Sequence, residues 1–254
     1  MSILIVTGTV SPPEGLNATV LMDPSERERQ YIVSLKWFIE ESDFYKIVFC
    51  ENSNAALDLS ALEILAQEHG KLFEYISFEG DVEKIRKCGK GYGEGQIIDY
   101  ALDHSKLVEG EDYFYKITGR IIIKNINEIL HRGHNKRAFI LCKWSWMHTW
   151  FYGMPIQIYE KNFREIYKKT DDSTINVMEA LFFPMLYKGK FFWDHGGVYP
   201  EIYGTSGSSG KRYEDMMVKW KEKMIHNKIE CVIIRISQGI RRRIRRLVFH
   251  DVKE

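Results

Sequence analysis

Short apolar runs alternate with helical patterns through the first half of the chain. Apolar, β-branched runs predict strands over residues 2–7, 45–50, 72–78 and 113–123. Apolar residues three to four positions apart predict helices over 24–41 and 59–70, with Gly70 just past the end of the second. Strands alternating with helices form mostly parallel sheets, so the pattern predicts an α/β domain.

The second half of the chain is less regular. A strand is predicted over 137–143, a helix over 173–187, and strand or loop over 191–203. Residues 144–153 are rich in aromatics, and 205–210 read Thr-Ser-Gly-Ser-Ser-Gly, which predicts a flexible stretch. From residue 212 onward the pattern is helical, with isoleucines, Leu247 and Val248 on one stripe.

Composition divides the chain into two parts. A chain of 254 residues, 44% hydrophobic and 28% charged, is ordinary for a soluble α/β domain with a buried core. Residues 211–254 carry 13 Lys or Arg against 6 Asp or Glu, which leaves 23 against 29 for the rest. We therefore predict a mildly acidic domain over 1–210 and a basic helical tail over 211–254.

The tail favours an anionic membrane surface as its partner. Its cations flank a continuous apolar stripe, and interfacial helices need both faces. Packing against the same protein or a twin subunit in a homodimer is the alternative, and nucleic acid ranks last because the aromatics lie elsewhere in the chain. The prediction is a cytoplasmic protein, peripheral on the inner face of the cell membrane. The arginines concerned are Arg235, Arg241, Arg242, Arg243, Arg245 and Arg246.

Neither cysteine nor carboxylate spacing predicts a metal. The four cysteines are far apart, which favours reduced thiols over zinc ligands or disulfides. No Asp-x-Asp occurs, and acidic pairs such as Asp171-Asp172 are typical of turns and caps. The apolar N-terminal run is too short for a signal peptide. We expect no divalent metal and no other cofactor.

A glycine-rich segment over 88–95 precedes a predicted helix and then the strand over 113–123. Glycines let backbone N–H groups approach phosphate, and a helix start adds a favourable dipole. Lys116 and Arg120 on the following strand add two cations. Together they predict a nucleotide diphosphate pocket. The alternatives are a plain loop and an internal salt bridge from a cation to Glu94 or Asp99.

Polar residues at the predicted strand ends supply further candidates. Ligands of open parallel sheets bind beyond the carboxyl ends of the strands. Each group has an alternative interpretation. The residues after the second strand could cap the next helix, and Arg27 could lie on the surface. Residues 118–120 could form an ordinary bend within the strand. The candidates are Thr7, Gly8, Arg27, Glu51, Asn52, Ser53, Thr118 and Gly119.

Three residues are candidates for acid–base chemistry. Glu179 is the acid of an otherwise apolar helix, where burial would raise its pKa toward a useful range. The alternative for Glu179 is a residue that faces solvent. Asp194 and His195 stand between aromatics and two glycines, which suits an active-site loop or a structural turn. The aromatic segment adds His148, Thr149 and Trp150 as candidates for an acceptor groove, although most of its aromatics belong in the core.

Two motifs resemble bacterial glycosyltransferases of polysaccharide and lipopolysaccharide assembly. They are Lys90-Gly-Tyr-Gly-Glu94 before a helix and Tyr115-Lys-Ile-Thr-Gly-Arg120 in a strand. The resemblance implies the type-A glycosyltransferase fold, a single Rossmann-like nucleotide-sugar-binding domain, over roughly residues 1–205. Many members hold a divalent metal with Asp-x-Asp at that strand. Here Lys-Ile-Thr-Gly-Arg stands instead, so metal dependence is not expected.

The resemblance also implies roles for individual residues. Thr7 and Gly8 would lie near the nucleoside, and Glu51 and Asn52 would bind base or ribose. Lys90, Gly91, Gly93 and Glu94 would lie near the diphosphate or donor sugar. His148, Thr149 and Trp150 would line the acceptor side, and Glu179 would act as base in an inverting transfer.

These implications lead to one predicted function with two alternatives. The prediction is a glycosyltransferase of surface polysaccharide assembly, which transfers a sugar from a nucleotide-sugar to a lipid-linked saccharide acceptor. A sugar nucleotidyltransferase is the first alternative. Such enzymes usually carry arginine and lysine in the loop after the first strand, whereas this chain has Thr7-Gly8-Thr9-Val10 there. The second is a non-catalytic, membrane-associated nucleotide- or saccharide-binding protein.

Overall fold

The computed structural model describes residues 3–16, 19–132, 137–143, 146–189, 191–194, 198–207 and 209–214. For Lys143 and Asp194 only the backbone is described. His195 and the tail from residue 215 onward lie outside the described residues. The predicted tail helix and its arginines therefore stay predictions.

Eleven strands and seven α-helices are formed by the described residues. The strands are β1 (Ile3–Gly8), β2 (Lys46–Glu51), β3 (Leu72–Ser77), β4 (Tyr113–Thr118), β5 (Ile121–Ile123), β6 (Ala138–Phe139), β7 (Cys142–Lys143), β8 (Trp146–Met147), β9 (Phe151–Pro155), β10 (Trp193–Asp194) and β11 (Ile202–Gly204). The helices are α1 (Pro24–Glu41), α2 (Ser60–Glu68), α3 (Val82–Cys88), α4 (Lys90–His104), α5 (Ile126–His131), α6 (Ile156–Asn162) and α7 (Met178–Lys188).

A seven-stranded sheet forms the centre of the fold, in the order β10-β6-β9-β4-β1-β2-β3. The neighbours of β1 on both sides are parallel to it, whereas β9 runs antiparallel to β4 and β6. All six residues of β1 are buried, as expected for a central parallel strand covered on both faces. The predicted α/β class with a mostly parallel sheet is confirmed.

The sheet order creates a crevice beside β1. The chain goes from β1 outward to β2 and β3, then returns to place β4 on the other side of β1. Ligands of such sheets bind at the carboxyl ends of the strands where the order reverses. That point lies between the ends of β1 and β4, where Thr7 is paired with Thr118.

Helix α1 covers the sheet and follows its predicted bounds. It begins after Asp23, whose carboxylate accepts from the Ser25 N–H, and Pro24 suits the first position. Tyr31, Leu35 and Phe38 lie on its buried face. Each such side chain contributes roughly 1.5–3 kcal/mol when fully buried. The same face carries Arg27 toward the end of β1.

The predicted strand over 113–123 is wrong in one respect, because it is two strands. After β4 the chain leaves the sheet, and β5 pairs with β11 in a separate two-stranded sheet. The break lies at Gly119, whose N–H donates to the Thr7 carbonyl at 2.9 Å. A Cβ there would lie 2.8 Å from that oxygen and 2.9 Å from the Tyr31 ring, so this position requires glycine.

The predicted helix over 173–187 begins late, at Met178. Asp171 accepts from both the N–H and the hydroxyl of Ser173, which offers the backbone a turn instead of a helix. Ile175, an apolar residue within the predicted helix, is 77% exposed. The predicted strand over 137–143 is likewise reduced to β6 and β7. Among the described residues, no helix combines the length and apolar character needed to cross a membrane.

Candidate functional site

An open cavity of about 210 Å³ lies at the carboxyl ends of β1 and β4. Its walls come from elements far apart in sequence, which the sheet order brings together. Twelve of the predicted site residues line it. They are Thr7, Gly8, Arg27, Asn52, Lys90, Gly93, Glu94, Thr118, Arg120, Thr149, Trp150 and Glu179.

Two buried arginines line this cavity. Arg27 is 6% exposed and Arg120 is 8% exposed. Arg27 donates to the carbonyls of Thr9 and Leu21, at 2.7 and 3.0 Å, and to the Tyr31 hydroxyl at 3.3 Å. The alternative that Arg27 is a surface residue is therefore wrong.

Arg120 has fewer partners than Arg27. Its Nη1 donates to the Gln30 side-chain oxygen at 3.2 Å, and its buried Nε has no hydrogen-bond partner. Among the described residues, no carboxylate forms an ion pair with either arginine. Burial lowers the pKa of Arg27, and the positive charge of Arg120 lowers it further. Two buried cations thus face one cavity, and neither forms an ion pair with the carboxylates that the described residues place in its wall, Glu94 and Glu179.

Lys116 does not belong to this group. Its side chain is fully buried and does not line the cavity. Its ammonium forms an ion pair with Glu94 and donates to the Thr149 carbonyl at 2.7 Å and the Thr118 hydroxyl at 3.2 Å. All three ammonium protons are used. The prediction that Lys116 holds a diphosphate is corrected in favour of the internal salt bridge to Glu94.

The glycine-rich segment is a helix rather than a phosphate-binding turn. Only Gly89, with φ of 97°, forms a turn, and Gly91, Gly93 and Gly95 lie inside α4. Gly91 lies against Asp172 rather than the cavity, and Gly93 lies close to Asn52. These glycines let the helix approach its neighbours closely.

Asp172 occupies the start of α4. Its carboxylate accepts from the Gly91 N–H at 3.2 Å, and burial raises its pKa. A carboxylate already meets the helix dipole where we expected phosphate. The predicted phosphate site at this helix start is therefore wrong. Lys90, the first residue of α4, and Glu94, one turn later, still line the cavity.

Glu51 and Ser53 hold the loop after β2 and do not line the cavity. Glu51 is fully buried and accepts from the N–H groups of Ser53 and Ala55, both at 2.8 Å. The Ser53 hydroxyl accepts from the N–H groups of Val10 and Ser11. Neither residue caps the next helix, because α2 begins at Ser60 after Leu59 without a side-chain hydrogen bond at its start, so the capping alternative is wrong as well. Asn52 does line the cavity, where its amide oxygen accepts from the Thr9 hydroxyl at 2.6 Å.

Glu179 lies in the first turn of α7 and faces the cavity. Burial raises its pKa, the nearby Glu94 charge raises it further, and a hydrogen bond from the Thr149 hydroxyl at 3.1 Å opposes the change. The start of a helix favours the ionised form of a carboxylate. Burial has the larger effect on Glu179, so its pKa is raised. A carboxylate with a raised pKa at a cavity wall suits a general base.

The segment before β9 contributes Thr149 and Trp150. The Trp150 carbonyl accepts from the Thr118 N–H at 2.9 Å, which fixes this segment against the end of β4. His148 does not line the cavity, although its ring contacts that of Trp150. Gly119 also lies outside the cavity wall. It forms the break between β4 and β5.

Asp194 and His195 stay untested as catalytic residues. The Asp194 backbone lies in β10, separated from β4 by β6 and β9. Its side chain and His195 lie outside the described residues. No role in the site is assigned to either from the structure.

A divalent metal does not fit the residues that follow β4. The segment Thr118-Gly119-Arg120 places a guanidinium there, and the nearby Glu94 is paired with Lys116. A metal ion needs anionic or neutral oxygen ligands, which an adjacent arginine opposes. Among the described residues, no group of three or more His, Cys, Asp or Glu is placed to hold a metal. Metal independence itself stays a prediction.

Sequence reasoning missed several residues of the cavity wall. Tyr31 belongs to the apolar face of α1, yet its hydroxyl accepts from the Thr9 N–H at 2.9 Å beside Arg27. Gly207 and Tyr213 come from a stretch predicted only as flexible and basic. The other missed lining residues are Thr9, Pro12, Pro13, Leu16, Thr19, Ile85 and Ile97. Nothing in the local pattern marks the residues after position 200 as part of a site.

Comparisons with known proteins identify no family. No family model matches the sequence, and no curated protein matches it. Among solved structures, the chain is similar to the glycosyltransferase GlyE of Streptococcus pneumoniae, with TM-score 0.47 and 10% identity. That alignment covers 77% of this chain and 45% of GlyE, so the chain spans less than half of GlyE's length.

Two further structures have similar scores. A Desulfovibrio desulfuricans protein described as a nucleotide-diphospho-sugar transferase has TM-score 0.43 and 9% identity, over 76% of this chain and 78% of that one. A Vibrio cholerae nucleoside-diphosphate-sugar pyrophosphorylase has TM-score 0.46 and 12% identity, over 80% and 94%. Identities this low carry no information about substrate, so the function rests on the site's own geometry.

Proposed function

We propose that the chain is a glycosyltransferase that binds the diphosphate of a nucleotide-sugar with Arg27 and Arg120 and without a metal. One observation carries the proposal. Two buried guanidinium groups face the same cavity, and within the described residues their partners are all uncharged. A buried charge without a counter-charge costs several kcal/mol, so this arrangement favours an anionic ligand.

The surroundings of the arginines favour a nucleotide as that anion. Guanidinium groups match the geometry of phosphate oxygens. Beside them, the cavity wall combines Asn52 and Tyr31 with the apolar side chains of Pro12, Pro13 and Leu16. Such a wall, apolar with a few placed polar groups, is typical of small-molecule sites and suits a base and ribose.

Glu179 supplies the acid–base chemistry of the proposal. In an inverting transfer, an acceptor hydroxyl oxygen bonds to the anomeric carbon as its proton passes to the Glu179 carboxylate. The bond from that carbon to the diphosphate oxygen breaks, and the nucleoside diphosphate departs with the electron pair. Arg27 and Arg120 stabilise the charge that develops on it.

Nucleoside diphosphate binding tests the proposal. UDP, GDP, ADP, CDP and dTDP are each added to the protein in excess EDTA, and the melting temperature is measured. We expect at least one to stabilise the fold, because a ligand that binds only the native state raises its stability. No shift with any of them, with or without manganese, would refute nucleotide binding and favour the non-catalytic alternative.

Turnover separates the enzyme classes. With the bound nucleotide's sugar conjugate and an acceptor, we expect release of nucleoside diphosphate. Release of pyrophosphate from a sugar phosphate and a nucleoside triphosphate would favour a nucleotidyltransferase instead. Arg120→Ala is expected to retain the fold and lose nearly all turnover. Full activity in excess chelator is expected, and activity restored only by manganese would overturn the metal-free proposal.

The acceptor and the membrane association are proposed from the sequence. The tail arginines and apolar stripe suit an anionic surface, where a lipid-linked saccharide would reside. Co-sedimentation of the full chain with phosphatidylglycerol vesicles tests this. We expect binding that falls with added salt and is lost when Arg241, Arg242 and Arg243 are changed to Glu. Equal binding of that variant would contradict it.

A further inference from the structure

Residues 205–207 and 209–213 contribute Gly207 and Tyr213 to the cavity wall that Arg120 also lines. A bridge joins Thr205 to Arg212, and the Gly210 N–H donates to the Ser206 carbonyl at 2.8 Å. The Ser206 N–H donates in turn to the Lys211 carbonyl at 2.9 Å. These bonds join residues 205 and 206 to residues 210–212 in a turn.

Gly207 connects this turn to the other side of the cavity. Its carbonyl accepts from the Val20 N–H at 3.0 Å, which joins the turn to the loop after β1. Gly207 lies outside the left-handed region, so its backbone conformation does not itself require glycine. The reason for glycine must therefore lie in what surrounds the position.

The neighbour of Gly207 is the Arg120 guanidinium. A Cβ built on Gly207 would overlap Nη2 of Arg120, and its other near atoms belong to the same guanidinium, at 3.3 and 3.8 Å. The far end of an arginine can move at small cost to the fold. Here that movement would carry the charge away from its place in the cavity wall.

We infer that Gly207 is a positioning residue for the diphosphate site, which sets where the Arg120 guanidinium lies. The inference rests on the proposed function, because it assigns Arg120 the role of binding phosphate. Among the described residues, Arg120 has one side-chain hydrogen bond, to Gln30, and its Nε has no partner. The hydrogen bonds of the Arg120 guanidinium therefore constrain its position weakly. The backbone at Gly207 limits its position from another side.

The substitution Gly207→Ala tests this inference by calorimetry. The probes are the nucleoside diphosphate that binds the unmodified protein best and its parent nucleoside. We expect about tenfold or greater loss of diphosphate affinity, since charge-assisted hydrogen bonds depend on placement, and no change in nucleoside affinity. Ser209→Ala, an exposed change in the same turn, is the matched control and is expected to leave both affinities unchanged.

A double-mutant cycle with Arg120→Lys separates positioning from general damage. Lysine lacks the Nη2 atom that the new methyl group would meet, so Gly207→Ala should have little further effect in that background. Interaction between the two changes is the signature of contact. Unchanged diphosphate affinity in a folded Gly207→Ala variant would overturn the inference, as would equal losses in both backgrounds.

The two proposals fail differently. If the unmodified protein binds none of the diphosphates, the proposed function fails and the inference with it. If it binds one and Arg120→Ala abolishes that binding while Gly207→Ala does not weaken it, the proposed function stands and the inference alone is wrong. A melting curve of each variant shows that it is folded.

Discussion

Lys116 and Arg120 lie four residues apart, yet their charges have different surroundings. Lys116 is buried in an ion pair with Glu94, whereas Arg120 lines the cavity and donates a hydrogen bond to the uncharged side chain of Gln30. The sequence predicts two cations near one strand end and leaves the salt bridge to Glu94 open as an alternative. It cannot decide between them, because the choice depends on which side of β4 faces α4.

The pair of Lys116 and Glu94 predicts a large loss of stability when one partner is removed. Lys116→Met leaves Glu94 without its counter-charge, and the free energy of unfolding should fall by about 3–5 kcal/mol. Urea denaturation measures this. The double variant with Glu94→Gln should recover part of the loss. A single-variant loss within the range of surface pairs, under about 1 kcal/mol, would contradict the buried ion pair.

At neutral pH and above, the ionised side chain of Glu179 should lower the stability of the fold, although the same carboxylate is needed as the proposed base. Because burial raises its pKa, the folded state holds the proton more tightly than the unfolded state. Stability from this group is therefore present below the unfolded pKa and is lost as pH rises through the folded pKa. Glu179→Gln removes this dependence, so the variant should melt higher than the unmodified protein at pH 8.

The same variant should lose about 10²–10⁴-fold in turnover, the usual contribution of a general base. Turnover of the unmodified protein should increase as pH rises through the raised pKa of Glu179. Melting curves over pH 4 to 8 and initial rates over the same range check both expectations. Normal turnover in the glutamine variant would exclude Glu179 as the base.

At the scale of elements, α1 was predictable and the start of α4 was not. Helix α1 has a clear cap, a proline and a regular apolar face, and its bounds agree with the sequence prediction. The glycines of α4 suggest a turn because glycine is a poor helix former. They are helical because Tyr167, Asp172 and Asn52 pack against them, and those contacts come from distant parts of the chain.

The Asp172 cap on α4 gives a prediction at this scale. Asp172→Ala removes the carboxylate from the helix start and should lower the free energy of unfolding by roughly 0.5–2 kcal/mol. Nucleoside diphosphate affinity should stay within about twofold, because phosphate binds at the arginines. A clear gain in affinity would instead show that the vacated helix start is a phosphate site.

At the scale of the whole molecule, the sheet order determines the site. Placing β4 beside β1 brings Arg120 within reach of Arg27, 93 positions earlier in the sequence. The alternating pattern predicts the parallel sheet and the edge that binds ligands. It cannot predict that Gly207 and Tyr213 return to that edge, since nothing in the local sequence relates these residues to β4.

The central claim is that two arginines, without a metal, balance the diphosphate of a nucleotide. Calorimetric titration of the unmodified protein and Arg120→Met in excess EDTA tests it most directly, with each nucleoside diphosphate and its parent nucleoside. We predict that one diphosphate binds the unmodified protein and binds the variant at least tenfold more weakly, about one charge-assisted contact, with equal nucleoside affinities. Equal diphosphate affinities, or binding only with added manganese, would contradict the account.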